Sequence, residues 1–290
     1  MQQVPSAYPL DLESGQSIPA ITAVEQTPLW RNAETASPLQ RTLVFVYGIA
    51  CYLVFLVTLI YSIGFIGNFL VPTTLDASVN PTADRGWVVR LAINIALLLV
   101  FALQHSVMAR PWFKSRWTRL VPEPAERSTY VLFSSVAMIA MFVLWQPLGG
   151  TIWDVRNPIG VAALYSLFAA GWLLVLTATF LINHFDLFGL RHVWLYFRRQ
   201  PYTHLPFKIP SLYRVVRHPL YVGWITVFWA TPTMTISHLF FAVITTGYIL
   251  LAIGWEERDL VDVFGQKYLD YRKSVPKLIP ALRTASNTTR

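Results

Sequence analysis

Residues Leu43–Leu70 read LVFVYGIACYLVFLVTLIYSIGFIGNFL, 28 residues without one Asp, Glu, Lys, Arg or His. A bilayer has a hydrocarbon core of ~30 Å, and about 20 helical residues cross it. The backbone of such a segment satisfies its own hydrogen bonds only as a helix. The stretch therefore reads as a membrane span, and it has company. Val88–Ala109, Tyr130–Leu148, Ile159–Ile182 and His238–Trp255 are apolar runs of similar length. Leu220–Ile236 is shorter and carries Pro232 at its end, so it reads as one arm of a hairpin that need not cross fully. The expected fold is all-α, a polytopic membrane helical bundle with five spans, a short sixth segment in a hairpin, and a C-terminal cytoplasmic helix. Composition agrees: 54% hydrophobic residues, 13% charged residues and a mean hydropathy of +0.47 exclude an ordinary soluble enzyme.

Charge sets the expected orientation. Lys and Arg number 2 in residues 1–42, 5 in 109–128, 6 in 183–218 and 7 in 256–290, so 20 of the 23 fall in alternate connections. The excess of cations on cytoplasmic loops then places both termini and the two basic loops in the cytoplasm. The net charge of +8 reports this topology and an attraction to anionic lipid. It is not a nucleic-acid footprint, because the cations are spread over loops. Trp87, Trp112, Trp117, Trp145, Trp153 and Trp255 fall near span ends, where interfacial indoles sit. Cys51, the lone cysteine, lies mid-span and reads as a packing residue, with no disulfide possible within the chain.

Four regions are expected. Residues 1–40, with five prolines and no periodicity, form a flexible cytoplasmic tail. The first apolar run begins near residue 42, so no cleavable signal peptide is expected. Residues 41–182 form a four-helix scaffold. Residues 183–280 carry the chemistry on a cytoplasmic loop, the hairpin and the last helix, and 281–290 form a frayed polar end.

The chemistry clusters where apolar helices meet charge. Arg217-His218-Pro219-Leu220-Tyr221-Val222-Gly223 opens the short segment. A proline at the first helical position leaves Arg217 and His218 just outside the helix. The helix N-terminus, with Arg217 as partner, suits an anion such as a ligand carboxylate. The alternative is a lipid-headgroup arginine beside a capping proline. Beyond the last apolar run come Glu256-Glu257, Leu260, Phe264, Tyr268, Tyr271 and Arg272. The spacing from Glu257 onward predicts one helical face that starts with carboxylate and continues with rings. It suits an ammonium or ribose hydroxyls and an adenine; the alternative is an ordinary apolar docking face. A hairpin brings these two clusters together. A third cluster, Asn183-His184-Phe185-Asp186-Leu187-Phe188-Gly189-Leu190-Arg191-His192, follows the fourth span. It either serves a substrate or is a satisfied loop capped by Asn or Asp. A fourth, Gln104-His105-Ser106, lies near the end of the second span, as an interhelical hydrogen-bonding contact or a functional intramembrane histidine. The histidines lack any H-x-x-x-H or H-E-x-x-H spacing, so no metal site is expected.

In combination, Arg-His-Pro-x-Tyr-x-Gly, an apolar helix, Glu-Glu-x-x-Leu, Phe-Gly-x-x-Tyr-x-x-Tyr and Val-Pro over residues 211–280 resemble the membrane methyltransferases that include the isoprenylcysteine carboxyl and phospholipid methyltransferases. Gln104–Arg110 and Asn183–Arg191 are similar to the methanethiol S-methyltransferase branch, bacterial enzymes that make dimethyl sulfide. The resemblance covers most of the chain after residue 40. It implies an S-adenosyl-L-methionine cofactor, a small thiol substrate and the inner (cytoplasmic) membrane of a bacterium. It also implies a cofactor site at Arg217, His218, Pro219, Tyr221, Gly223, Glu256 and Glu257, with Tyr268, Tyr271 and Arg272 on the following helix. The acceptor side is inferred to hold Asn183, His184, Asp186, Arg191 and His105.

The expected reaction is an in-line methyl transfer in which His184 or His105 takes the thiol proton and Arg191 steadies the thiolate. Isoprenylcysteine or a phospholipid is the alternative acceptor. A non-enzymatic membrane carrier of the same fold is the alternative outside enzymology, against which the paired glutamates argue. A sterol-reductase-like activity would need a Gly-rich phosphate loop, which the chain lacks.

Overall fold

A computed structural model describes residues 36–78, 86–203, 205 and 208–280. The expectations for the tail before residue 36 and for 281–290 lie outside these residues. In chain order the elements are α1 (Pro38–Gly67), α2 (Trp87–Met108), α3 (Pro111–Trp117), a 3-10 turn (Glu123–Ala125), α4 (Glu126–Leu144), β1 (Thr151–Asp154), α5 (Pro158–Ile182), α6 (His184–Leu187), α7 (Leu190–Phe197), a second 3-10 turn (Ser211–Arg214), α8 (Pro219–Trp229), β2 (Thr233–Thr235), α9 (Ile236–Phe264) and α10 (Gln266–Ser274). Five helices are long and apolar enough to cross a membrane: α1, α2, the helical stretch Glu123–Leu144 ending in α4, α5 and α9.

Local chemistry sets the helix boundaries. Asn157 caps α5, its side chain accepting from the amides of Ile159 and Gly160, and Pro158 occupies the first helical position. Thr235 caps α9 by accepting from the amide of His238 at 3.1 Å. The sixth apolar segment is shorter than its run of residues suggested. α8 has 11 residues, a rise of about 16 Å, half of what a crossing needs. Its continuation is a strand: Thr233–Thr235 pairs antiparallel with Thr151–Asp154, Thr151 opposite Thr235 and Asp154 opposite Thr233, with an irregularity between Thr151 and Trp153. This ribbon was not legible as a strand pair in the sequence.

The last helix differs too. A single cytoplasmic helix over 256–280 was expected, but α9 carries Glu256 and Glu257 on to Phe264, and the chain then turns at Gly265 (φ 54°) before α10. Positive φ favours glycine, which has no Cβ to clash. The turn folds Tyr268 and Tyr271 back onto Leu260 and Val275, with Phe264 beside them. The intended face survives, built from two helices rather than one.

The chain forms two compact units. One draws on Met1–Val57 (described from residue 36), Leu103–Val136 and Phe185–Pro206. Its cores are Val44, Ala125, Val193 and Tyr196, and Met108, Tyr130 and Val131. Cys51 is buried there, as a packing residue would be. The other comprises Thr58–Ala102, Ala137–His184 and 207 onward, around Phe65, Leu98, Phe142, Trp145, Trp172, Val227, Phe241 and Ile253. Trp145 is no interfacial indole: it is fully buried, donating from Nε1 to the Leu75 carbonyl (3.0 Å) and Ser237 Oγ (3.1 Å). In lipid, helices associate by close packing rather than by escape from water, and small residues permit it. α5 and α8 do this at Gly171 and Gly223. A Cβ on Gly223 would lie 2.8 Å from Val175 Cγ2 and 2.9 Å from the Gly171 carbonyl oxygen.

Candidate functional site

The first turn of α8 and the polar end of α9 meet, both within the second unit. His218 holds a non-helical conformation (φ −127°, ψ 61°) in front of Pro219, as a residue before proline should. The amides of Arg217 and His218 donate to the carbonyls of Pro276 (2.9 Å) and Lys277 (3.2 Å), which ties the segment after α10 to the start of α8. The Arg217 side chain is wholly engaged inside the protein. Its Nε and Nη2 reach Glu257 Oε1 at 2.9 and 2.8 Å, and its Nη1 donates to the carbonyls of Arg272 and Val275, both at 2.7 Å. His218 Nε2 approaches the same Glu257 oxygen at 3.0 Å. Arg217 is therefore neither a lipid-headgroup cation nor an open partner for a ligand carboxylate; it holds Glu257. Arg272 contributes its carbonyl to this arrangement.

Three nitrogens converge on Glu257 Oε1, and Oε2 has no partner among the described residues. Glu256 points elsewhere, its Oε2 accepting from the Tyr221 hydroxyl at 2.9 Å. Next to these carboxylates lies a group the sequence reading passed over. The Tyr213 hydroxyl is buried and has no hydrogen-bond partner among the described residues. Its backbone is fixed by the Tyr271 hydroxyl, which donates to the Tyr213 carbonyl at 2.6 Å. Burial, and after it the negative charge of Glu256, push the Tyr213 phenol well above its ordinary value, so it stays a proton donor. Burial likewise raises Tyr271 to about 12, with Arg217 opposing and Glu257 adding to the rise. Tyr268 is buried with its ring centre 5.7 Å from that of Tyr271. The site thus offers one unengaged carboxylate oxygen, one buried hydroxyl donor and a wall of protonated phenols. Gly223 serves the α5–α8 contact described above.

In the first unit the loop cluster is closed on itself. Asp186 Oδ1 accepts from Arg191 Nη1 at 2.8 Å and lies 3.6 Å from His192 Nε2, while Oδ2 accepts from the Tyr202 hydroxyl at 3.2 Å. Arg191 also donates to the carbonyl and hydroxyl of Thr203 and lies over the Tyr202 ring at 4.9 Å. Burial alone would raise the Asp186 carboxyl, but the hydrogen bonds and charges of His192 and Arg191 outweigh it and hold the group at about 2. The expectation that Arg191 stands ready for a thiolate meets a guanidinium already committed to Asp186 and Thr203. Arg127, buried nearby, donates from Nε to the Leu187 carbonyl at 2.7 Å.

Asn183 and His184 belong to the second unit. Asn183 ends α5 in a strained conformation (φ 140°, ψ 90°), its amide donating to the Thr179 carbonyl at 3.1 Å. The turn lays the His184 ring parallel to Phe180, with centres 4.3 Å apart and planes 7° apart. His184 Nδ1 sits 2.9 Å from Thr179 Oγ1. Burial lowers the imidazole pKa, so the ring is neutral near pH 7. His105, in the first unit, is hydrogen-bonded to the Tyr130 hydroxyl (2.9 Å) and to Ser134 Oγ (3.2 Å) across the α2–α4 contact. Sequence reasoning missed Tyr213, Tyr202 and Thr179. Only Tyr213 carried a signal, lying four residues before Arg217 in the stretch Ser211–Pro219.

No family model and no solved structure matches the chain. Curated relatives do. The chain is 57% identical over 242 residues to the methanethiol S-methyltransferase of Crocosphaera subtropica, covering 83% of this chain and 93% of that one. It is 52% identical over 242 residues to the methanethiol S-methyltransferase of Mycobacterium tuberculosis, covering 83% and 98%. A more distant likeness, 29% over 185 residues, covers 61% of this chain and 70% of nurim from Rattus norvegicus. With more than half of the aligned positions identical to the first of these over most of both chains, the protein belongs to the methanethiol S-methyltransferase family.

Proposed function

We propose that this protein transfers a methyl group from S-adenosylmethionine to methanethiol, giving dimethyl sulfide, S-adenosylhomocysteine and a proton. The observation that carries the reading is the half-engaged Glu257 carboxylate, immobilised by Arg217 and His218, in a chain of this family. Relatives named for a thiol, at this identity, favour that acceptor over isoprenylcysteine, a phospholipid or a carrier role.

The donor set fits the cofactor. Glu257 Oε2 and Glu256 accept from an ammonium or from ribose hydroxyls, and the Tyr213 hydroxyl, without a partner among the described residues, donates to an acceptor on the ligand. Tyr268 and Tyr271 supply ring surface. When bound, the cofactor supplies an electrophilic methyl group on a sulfonium. The chain's own work is to position, to exclude water and to move one proton. A thiol is a weak nucleophile and its thiolate a strong one. We assign proton removal to His184, which is neutral near pH 7 and held in one plane by Phe180. His105 instead bridges α2 and α4 through Tyr130 and Ser134. Asp186 and Arg191 act by fixing the loop that follows α5. The alternation of cations along the chain favours both termini in the cytoplasm, and the resemblance to bacterial enzymes favours an inner membrane for the spans. A small apolar thiol is then drawn from the lipid side and the charged cofactor from water.

The test is headspace gas chromatography of cells that express the protein and receive methanethiol. Dimethyl sulfide is expected from the parent chain, and general-base losses run to about 10²–10⁴-fold, so His184→Asn should cut its formation at least about 100-fold. His105→Asn should stay near the parent rate. No dimethyl sulfide from membrane-inserted parent protein would end the thiol assignment, and equal rates for both variants would end the assignment of His184.

A further inference from the structure

We propose that the outer faces of α3 and α7 bind the headgroup of an anionic phospholipid through Arg116, Arg119, Arg198 and Arg199. The same device occurs twice. On α3 the Arg116 guanidinium lies over the Trp112 ring, 5.4 Å from its centre. At the end of α7 Arg198 lies over Trp194 at 5.7 Å. Each arginine follows its tryptophan by four residues, about one helical turn, so ring and cation share a face. Both tryptophans are exposed, Trp112 at 53% and Trp194 at 46%.

Both helices belong to the first unit and turn other faces inward. Phe113 and Trp117 of α3 pack with Met108, Tyr130 and Val131; Val193 and Tyr196 of α7 pack with Val44 and Ala125. What remains outward is two indoles and four exposed arginines, none of them ion-paired among the described residues. The acidic residues nearest to α3 in sequence, Glu123 and Glu126, are half-buried and buried. A guanidinium stacked on a ring spends its face there. Its edge N–H groups stay available, and two of them can grip one phosphate. Arg116 commits one Nη1 bond to the Trp112 carbonyl, at 3.3 Å, out of five N–H donors. The location selects lipid among polyanions. α3 starts three residues after the spanning helix α2 ends, and Leu120, just beyond α3, is 80% exposed. A soluble polyanion would meet the arginines and leave Leu120 and the indoles in water. A phospholipid covers both, with indoles at headgroup depth and cations at the phosphates. The inference does not depend on methyl transfer.

Native mass spectrometry of the full-length protein in detergent, titrated with phosphatidylglycerol or with phosphatidylcholine of the same acyl chains, reads the headgroup preference. The parent should bind phosphatidylglycerol at least about tenfold more tightly, and high salt should erode that preference. A cation near an anionic lipid surface contributes about fivefold to binding. Arg116→Gln combined with Arg198→Gln should therefore weaken phosphatidylglycerol roughly 20-fold and leave phosphatidylcholine unchanged. Lys267→Gln, which removes an exposed cation on α10, should change neither. Equal affinity of the parent for the two lipids overturns the proposal, and so does a double variant that binds phosphatidylglycerol like the parent. A loss as large in Lys267→Gln means diffuse attraction rather than a site, and overturns it too. The substituted side chains are exposed, so the melting curve should stay parent-like. Should the double variant not fold, Arg119→Gln with Arg199→Gln takes its place, and the headgroup preference of the parent needs no variant.

Discussion

Two arginine–carboxylate pairs among the described residues, Arg217–Glu257 buried and Arg191–Asp186 half-buried, are finished differently. Around Asp186 both carboxylate oxygens are engaged, one facing Arg191 and His192, the other bound by Tyr202, and Arg191 closes onto Thr203. Around Glu257 three nitrogens crowd one oxygen, and the second has no partner among the described residues. Burying a charge is tolerable only when its hydrogen-bonding capacity is met. The first pair meets it internally and is a lock. The second meets half of it, with Arg217 held by two carbonyls; in the proposed function the other oxygen receives the ligand. A buried ion pair does not announce a site by itself; the count of unengaged lone pairs separates the two kinds.

The most severe way to break this contrast is Glu257→Ala. It removes the receiving oxygen and leaves Arg217 buried without its counter-charge. Removing one partner of a buried pair costs about 3–5 kcal/mol, so a lower melting temperature and no measurable S-adenosylhomocysteine binding by calorimetry are expected. Parent-like affinity in a folded Glu257→Ala protein would show that the unengaged oxygen receives nothing.

Arg217→Lys sharpens the same point with a milder change. Lysine keeps the charge, but it has no planar fork to span Glu257 and the carbonyls of Arg272 and Val275 at once. The carboxylate should remain ionised but lose its fixed orientation. A roughly tenfold weaker cofactor affinity, about 1.4 kcal/mol, is expected. If affinity held while turnover fell, Arg217 would be acting on the reacting groups rather than through Glu257.

How far the sequence carried depended on whether the signal was local. The five long spans were legible because each is a run of apolar residues that only a membrane helix explains. The Arg217, His218 and Glu257 cluster was legible because a hairpin must bring its two ends together. The end of α8 was not: Trp229–Thr235, with three threonines and Pro232, was read into the apolar run, and what makes a strand of Thr233–Thr235 is a partner about 80 residues earlier. Tyr268 and Tyr271 were placed on the correct face by spacing, but the turn at Gly265 that delivers them was read as a continuous helix. Which oxygen of Glu257 is engaged is a matter of ångströms between residues distant in sequence. Hydroxyl groups such as Tyr213 and Tyr202 also carry no charge that would mark them in a sequence.

The smallest expected effect on function, and the sharpest on the contrast, belongs to Asp186→Asn. If the Asp186 cluster is a lock, its loss should appear in stability and leave cofactor affinity alone. The pH dependence follows from the depressed carboxyl. Asp186 titrates at about 2 in the folded chain against an ordinary value of 3.8, so the ionised form is the one that folding favours. Its contribution is complete above the unfolded value and is lost as pH falls from about 4 toward about 2. The melting-temperature gap between parent and Asp186→Asn should therefore be constant above about pH 5 and narrow steadily toward about pH 3. The asparagine still accepts one hydrogen bond from Arg191 or Tyr202, so the gap is set by the lost charge and not by an emptied volume. A gap that ignores acid would mean the charge of Asp186 is not what closes the loop. A parent-like melting curve with weakened cofactor binding would place Asp186 beside Glu257 as a receiver of ligand, and the distinction between the two ion pairs would fall.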